Sequence, residues 1–471
     1  MTQIKFGTDG WRGLIADDFT FDNVRRVAGA IASYVLDHED PTHGIIIGYD
    51  TRFLSGRFAR AVAEVIASAG IPVQLANDYV PTPTVSYNVK KLGAAGGVMV
   101  TSSHNPWNWN GVKFKAKFGG SATPAIMKSI EEELAADAMP SGPAAKIEEV
   151  DLKPAYIEAV SEFADLDLIR HANFKFAIDS MYGSGRGVLP KIFDAHDIRY
   201  VAIRQEVNPL FPGINPEPIL PHVALLQETV VKEKCHAGLV TDGDADRIGA
   251  VAEDGGFVDS HKCMCVLLNW LLQYKKWPGD VVRAFNTTGM MDRIAAKYGR
   301  RLHECNIGFK YIADLMMDHE ILIGGEESGG IGYGRFLPER DGILNALLLA
   351  NVMAEEKKPL GQLVADLQRE FGAHYYGRRD LHIGDEMKNG AIGRAADPQV
   401  TKLGAYPILH KQNRDGVKFY LDAPKHGNGA DAWVLFRASG TERMLRCYVE
   451  AATPELVEEI LEAGENFVRQ V

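Results

Sequence analysis

At 471 residues the chain is too long for one hydrophobic core, and three or four domains are expected. Hydrophobic residues make up 46% and charged residues 24%, the balance of a soluble globular protein, and a net charge of −11 excludes nucleic acid as a main partner. No apolar run reaches membrane-spanning length and the first residues lack a signal-peptide core, so a cytoplasmic protein with no membrane partner is expected.

The five cysteines (Cys235, Cys263, Cys265, Cys305, Cys447) are odd in number and scattered, without zinc spacing, and read as reduced thiols.

In chain order, residues 6–13 hold three glycines around Arg12 and read as a loop. A helix is predicted over 21–36, a buried strand over 45–50, a helix over 55–69 and a strand over 73–75. Next comes Gly97-Val98-Met99-Val100, which runs into Thr101-Ser102-Ser103-His104-Asn105-Pro106. Proline removes a ladder donor and restricts the residue before it, so the strand must stop short of it. Ser103, beside His104, therefore sits at the C-terminal end of a strand, where open α/β sheets carry their chemistry. Lys113 follows shortly after.

Residues 121–150 are rich in Ala, Glu, Pro and Gly and read as a closing helix and a break. A second α/β run has strands at 174–179 and 237–240, joined across a Pro-rich stretch at 208–221. A third run has strands at 281–285 and 321–323 and a helix over 341–355. From about residue 373 helices thin out, strands are expected at 417–421 and 433–437, and a helix closes the chain over 454–471. The expected boundaries are 1–150, 151–255, 256–372 and 373–471: three similar α/β domains with mixed, mostly parallel sheets, then a C-terminal α+β domain. Three times an apolar strand leads into a Gly/Ser/Asp loop, at 98–106, 239–247 and 321–330.

Asp242, Asp244 and Asp246 alternate on one of those loops. Three crowded carboxylates repel unless a cation neutralises them, and oxygen ligands without His or Cys favour Mg²⁺ over zinc. An EF-hand does not fit, because its last acidic ligand is missing. Mg²⁺ keeps open positions for phosphate oxygens, and a phosphorylated Ser103 would supply one. Arg437-Ala438-Ser439-Gly440-Thr441 offers a guanidinium, two hydroxyls and a glycine turn to an anion. Glu326 and Ser328, on a glycine loop, suit sugar hydroxyls. A lysine near cations can have a lowered pKa and act as a base, so Lys113 is a candidate for that role. Arg12, Arg247 and Lys310 are further cations at loop positions.

These motifs occur in this order, about one per domain, and the chain resembles the α-D-phosphohexomutase superfamily of phosphoglucomutases, phosphomannomutases and phosphoglucosamine mutases. The opening Phe6-Gly7-Thr8-Asp9-Gly10-Trp11-Arg12-Gly13 is similar too. The resemblance implies four domains around a central cleft. It implies an enzyme that interconverts hexose 1-phosphate and hexose 6-phosphate through phosphoserine and a hexose 1,6-bisphosphate, which is both intermediate and activator. Ser103 would carry the phosphoryl group, and Asp242, Asp244, Asp246 and phosphorylated Ser103 would bind Mg²⁺. Arg12 and Lys113 would serve proton transfer, with His104 and Arg247 as further catalytic candidates. Glu326, Ser328 and Lys310 would bind the sugar, and Arg437, Ser439, Gly440 and Thr441 its non-reacting phosphate. A hinge near 370–380 would let the last domain close.

Lys310, and Gly330 where a histidine is frequent, lean the expectation towards glucose; mannose and glucosamine phosphates are the alternatives. Two other classes compete: a phosphatase with Asp242 as nucleophile, and a sugar-phosphate-binding protein without catalysis. The partner is a small-molecule hexose phosphate, and a monomer or homodimer is expected.

Overall fold

The computed structural model describes residues 4–7, 9–424, 431–439 and 443–470. The chain forms two compact units: Met1–Val282 with Gly308–Leu363, and Arg283–Ile307 with Val364–Val471.

In the first unit, the strand Gly96–Val100 lies parallel to Ile45–Tyr49 and antiparallel to Trp109–Ala116. Ile45–Tyr49 pairs in turn with Val73–Ala76, also parallel. These strands are apolar on both faces because helices Phe21–His38 and Ser55–Ser68 and helix Thr82–Leu92 pack against them. Four strands of this sheet go beyond expectation, Trp109–Ala116 and the short Gly120–Ser121 among them. Trp11–Leu14 pairs antiparallel with Trp109–Ala116, so the last three residues of the glycine-rich opening are strand. Ile147–Val150 joins the far edge, parallel to Val73–Ala76, within the stretch read as a break. The second sheet runs Phe257–Val258, Ile248–Ala252, Ala237–Thr241, Lys175–Asp179, Arg199–Ile203; its first three strands are antiparallel and its last three parallel. Ile321–Gly325 forms a hairpin with Ile331–Gly332. Helix Gly342–Glu356 follows; it is buried almost all round and is N-capped by Asp341.

In the second unit an antiparallel sheet runs Tyr375–His382, Met444–Ala451, Ala432–Ala438, Val417–Leu421, Tyr406–Asn413, Lys402–Leu403. Helix Pro454–Arg469 covers one face of it. The five cysteines are buried and none is bridged by a disulfide among the described residues. Among the described residues no helix is long and apolar enough to cross a membrane.

Candidate active site

Ser103 is three residues past the end of the strand Gly96–Val100 and is almost fully buried. Its φ is 51°, a left-handed conformation that non-glycine residues rarely hold. The Ser103 N–H donates to Thr101 Oγ1 at 2.8 Å. The Ser103 hydroxyl donates to Asp242 Oδ2 at 2.7 Å, and His104 Nδ1 lies 3.3 Å from the same hydroxyl oxygen. Gly243 is packed so tightly on the Ser103 carbonyl that a Cβ would collide with it. The end of Ala237–Thr241 is thereby seated against the end of Gly96–Val100.

Asp242, Asp244 and Asp246 are fully buried, and one oxygen from each lies within 4.8 Å of the others. Asp242 Oδ1 accepts the backbone N–H groups of Asp246 and Arg247 at 3.1 and 3.2 Å, which shapes the loop. Thr82 Oγ1 donates to Asp244 Oδ2 at 2.5 Å. Asp244 Oδ1 and Asp246 Oδ1 are buried with no hydrogen-bond partner. Buried acceptors left without a donor are costly, and a cation is the natural complement to an all-oxygen set. The residues present therefore fit a metal ion.

Cations hold the rest of the cluster together. Lys113, on the strand Trp109–Ala116, is buried with Nζ 2.8 Å from Asp244, 3.0 Å from Asp246 and 2.9 Å from Asp9. Arg340 pairs with Asp9, lies 2.7 Å from Asp246 and donates to Glu326 at 3.3 Å. Lys115 and Glu339 form a fully buried ion pair at 2.7 Å, and Ser86 and Ser121 donate to the same carboxylate at 3.0 and 3.1 Å. Arg247 lies 3.8 Å from both Asp242 and Asp246. Arg12 donates to Asn105 Oδ1 at 2.6 Å.

The ionisation follows from these contacts. Burial, with Asp244 and Asp246 close by, pushes Asp242 well above the usual carboxylate range. Burial acts the same way on Asp244, but Lys113, Thr82 and Arg340 together outweigh it and hold that carboxyl low. For Lys113 burial opposes the charge, and Asp244, Asp246 and Asp9 override it, so its pKa is raised. A base would need a lowered pKa, which burial alone favours; the three carboxylates favour the charged form instead. Burial, with Arg247 close by, lowers the Arg12 guanidinium.

Glu326 is buried and its carboxyl is raised by that burial. Ser328 is half-buried on the same loop, and Lys310 half-buried in the first turn of helix Phe309–Asp318. Arg340 lies across Gly330, leaving no room for a Cβ there.

In the second unit, Arg437 is engaged by Asp415 through Nε and Nη2 at 3.0 and 3.3 Å. Lys388 donates to the Ser439 carbonyl at 3.3 Å. Gly440 and Thr441 lie outside the described residues.

Ser103, His104, Asp242, Asp244, Asp246, Lys113, Arg12, Arg247 and Glu326 are thus gathered in the first unit. The sequence reading missed Asp9, Asp50, Arg52, Thr82, Lys115, Glu339 and Arg340. Asp50-Thr51-Arg52 did carry a signal: it too is a polar turn directly after an apolar strand. Arg340 carried none, being one arginine in a loop.

A serine bonded into a buried carboxylate cluster that fits a cation, across the ends of two α/β sheets, has the makings of a phosphoryl-transfer enzyme. The four domains of one family match in order: phosphoglucomutase/phosphomannomutase alpha/beta/alpha domain I at residues 3–140, domain II at 154–256, domain III at 259–371 and the C-terminal domain at 421–465. A phosphoglucosamine mutase of Carboxydothermus hydrogenoformans is 30% identical, over 97% of each chain. A phosphoglucomutase of Komagataeibacter xylinus is 28% identical, over 95% of this chain and 87% of its own. The crystal structure of a candidate phosphomannomutase from Thermus thermophilus superposes with a TM-score of 0.86, at 35% identity and 99% coverage of both chains. The chain belongs to the phosphoglucomutase/phosphomannomutase family. It is a phosphohexomutase, an isomerase, built of three α/β/α domains and a C-terminal domain.

Proposed function

We propose that the chain interconverts glucose 1-phosphate and glucose 6-phosphate, with Ser103 as phosphoryl carrier and a glucose 1,6-bisphosphate intermediate. The observation that carries this is the Ser103 hydroxyl bonded at 2.7 Å to Asp242 inside the three-carboxylate cluster. Asp242, Asp244 and Asp246 would hold Mg²⁺ together with the Ser103 phosphate. Bound there, Mg²⁺ would neutralise charge on the phosphoryl oxygens.

In the first half-reaction the free sugar hydroxyl forms a P–O bond as the bond from phosphorus to Ser103 Oγ breaks. The balance is one proton moved from the sugar hydroxyl to Ser103 Oγ. His104 Nδ1, 3.3 Å from that oxygen, is suited to handling it. Lys113, kept charged by its carboxylates, acts by charge at the reacting group, and Arg12 and Arg247 add to the field that receives the phosphoryl oxygens. The bisphosphate then reverses, and its other phosphate returns to Ser103 by the same steps in the opposite sense. Glu326, Ser328 and Lys310 would hold sugar hydroxyls. Arg437, Ser439, Gly440 and Thr441 would hold the phosphate that is not reacting.

Lys310, together with Gly330 in the loop of Glu326, supports glucose. The named relatives act on different sugars, so the alternatives are mannose and glucosamine phosphates. Initial rates on glucose, mannose and glucosamine 1-phosphate with Mg²⁺ test the choice; a rate on either alternative above that on glucose overturns it. Ser103→Ala should abolish isomerisation, and isomerisation that survives it removes Ser103 as carrier. Steady release of inorganic phosphate in place of isomer would indicate a phosphatase instead.

A further inference from the structure

We propose that Arg52 is a positioning residue that locks the Ser103 loop in its reactive conformation, steered by Asp50. The proposal rests on the reading of Ser103 as phosphoryl carrier. Arg52 is buried in the turn after the strand Ile45–Tyr49. Its four terminal N–H groups reach four different backbone carbonyls of the Ser103 loop. Nη2 donates to Ser103 and Asn105, each at 2.6 Å, and Nη1 donates to Pro106 at 2.8 Å and Trp109 at 3.1 Å. Ser103, Asn105 and Pro106 lie in an irregular loop and Trp109 opens the next strand; the Pro106 carbonyl also accepts the Trp109 N–H at 3.1 Å, and Arg52 supplies donors that the irregular backbone does not.

Asp50 orients the guanidinium, with Oδ2 3.2 Å from Arg52 Nε. The same oxygen accepts the Thr101 hydroxyl at 2.6 Å, and Thr101 Oγ1 in turn accepts the Ser103 N–H at 2.8 Å. Both backbone polar groups of Ser103 are therefore anchored to one buried ion pair, the carbonyl through Arg52 and the N–H through Thr101. Phe211 covers the guanidinium, its ring centre 5.1 Å away, and keeps water from competing for the carbonyls. A left-handed Ser103, with φ of 51°, persists only if its surroundings determine it more than once. This clasp is such a determinant. Without it the backbone can relax and swing Oγ away from Asp242.

Lysine keeps the charge at position 52 but has three N–H groups and no planar fork, so it cannot serve all four carbonyls. The test is the single-turnover rate at which glucose 1,6-bisphosphate phosphorylates Ser103 in the Mg²⁺-loaded full chain. The rate is read by mass of the Ser103 peptide and normalised to the folded fraction. Steady-state kcat and KM for glucose 1-phosphate are measured alongside. R52K should slow phosphorylation about 100-fold, as expected when a reacting atom is displaced by roughly an ångström. KM should change less than about threefold. D50N, which keeps the arginine but frees it to turn, should show the same pattern more weakly, and it serves if R52K does not fold. Unchanged phosphorylation rates in folded variants overturn the proposal, as does a rise in KM with the rate preserved. If wild-type Ser103 takes up no phosphoryl group, the carrier reading itself fails and this one falls with it.

Discussion

Two lysines, each about 1% exposed, sit in opposite surroundings, one in each compact unit. Lys113 in the first has Asp9, Asp244 and Asp246 within 3.0 Å, and they hold it charged against the cost of burial. Lys418 in the second has no carboxylate ion-paired to it among the described residues. Its Nζ donates to the Phe285 carbonyl and lies 4.2 Å from the Phe285 ring centre and 4.4 Å from that of Trp433. There burial wins, with Arg283 adding to it, and the pKa falls to about 7. Burial alone therefore says little about a lysine's charge; what shares the cavity decides it. The first arrangement gathers charge where phosphate chemistry needs it, and the second spends little charge on packing.

Removing each lysine should separate the two cases most sharply. Lys113→Met strands three buried carboxylates. It should cost about 3–5 kcal/mol of stability, the range for breaking a buried pair, and remove most isomerase activity. Denaturant unfolding and the isomerisation rate check this, and a stable, active variant would contradict the role given to Lys113.

Lys418 should show its difference through pH. Its folded pKa of about 7 lies below the ordinary lysine value, so above about 7 the unfolded chain binds the extra proton. Stability from this group therefore rises with pH across the window from about 7 to the lysine range near 10.4. The aromatic faces offset part of the penalty at low pH. The stability of wild type relative to Lys418→Met should grow by about 2–3 kcal/mol between about pH 6.5 and 9. Parallel denaturant curves at both pH values would show this, and a constant difference would mean Lys418 stays charged throughout.

Gly330→Ala tests the geometry around Arg340, which links Lys113's cluster to Glu326. The new methyl group must push Arg340 off, so activity should drop about tenfold, as a lost charged contact would give. The smallest effect is expected in the second unit. Asp415→Asn loosens the hold on Arg437 and should raise KM for glucose 1-phosphate a few-fold with kcat unchanged. A change in kcat alone would argue that Arg437 does something other than bind.

The parts legible in the sequence were those with a local pattern. Apolar runs such as 45–50 and 237–240 foretold strands, and alternating Asp242, Asp244 and Asp246 foretold a crowded oxygen site. The Ser103 loop was found because proline and hydroxyls mark a strand end. Arg340 and Asp9 were invisible because they meet across 331 residues of sequence. Lys113 was found, but its contact with Asp9 was not, since Asp9 lies on a separate loop. Arg52 was within reach, as its turn follows the same strand-then-polar rule that identified Ser103.

The late strand Ile147–Val150 has a consequence for the chain's solubility. It forms the outer border of the first sheet, and its two central residues are Glu148 and Glu149, both exposed. Behind it lies Val73–Ala76, mostly buried and with nothing charged to repel a neighbour. A row of unpaired amide groups on such a strand would invite another chain to dock along it. The short acidic strand caps that row with a surface other molecules avoid, so a segment within a stretch that reads as a break guards the protein against sticking to itself.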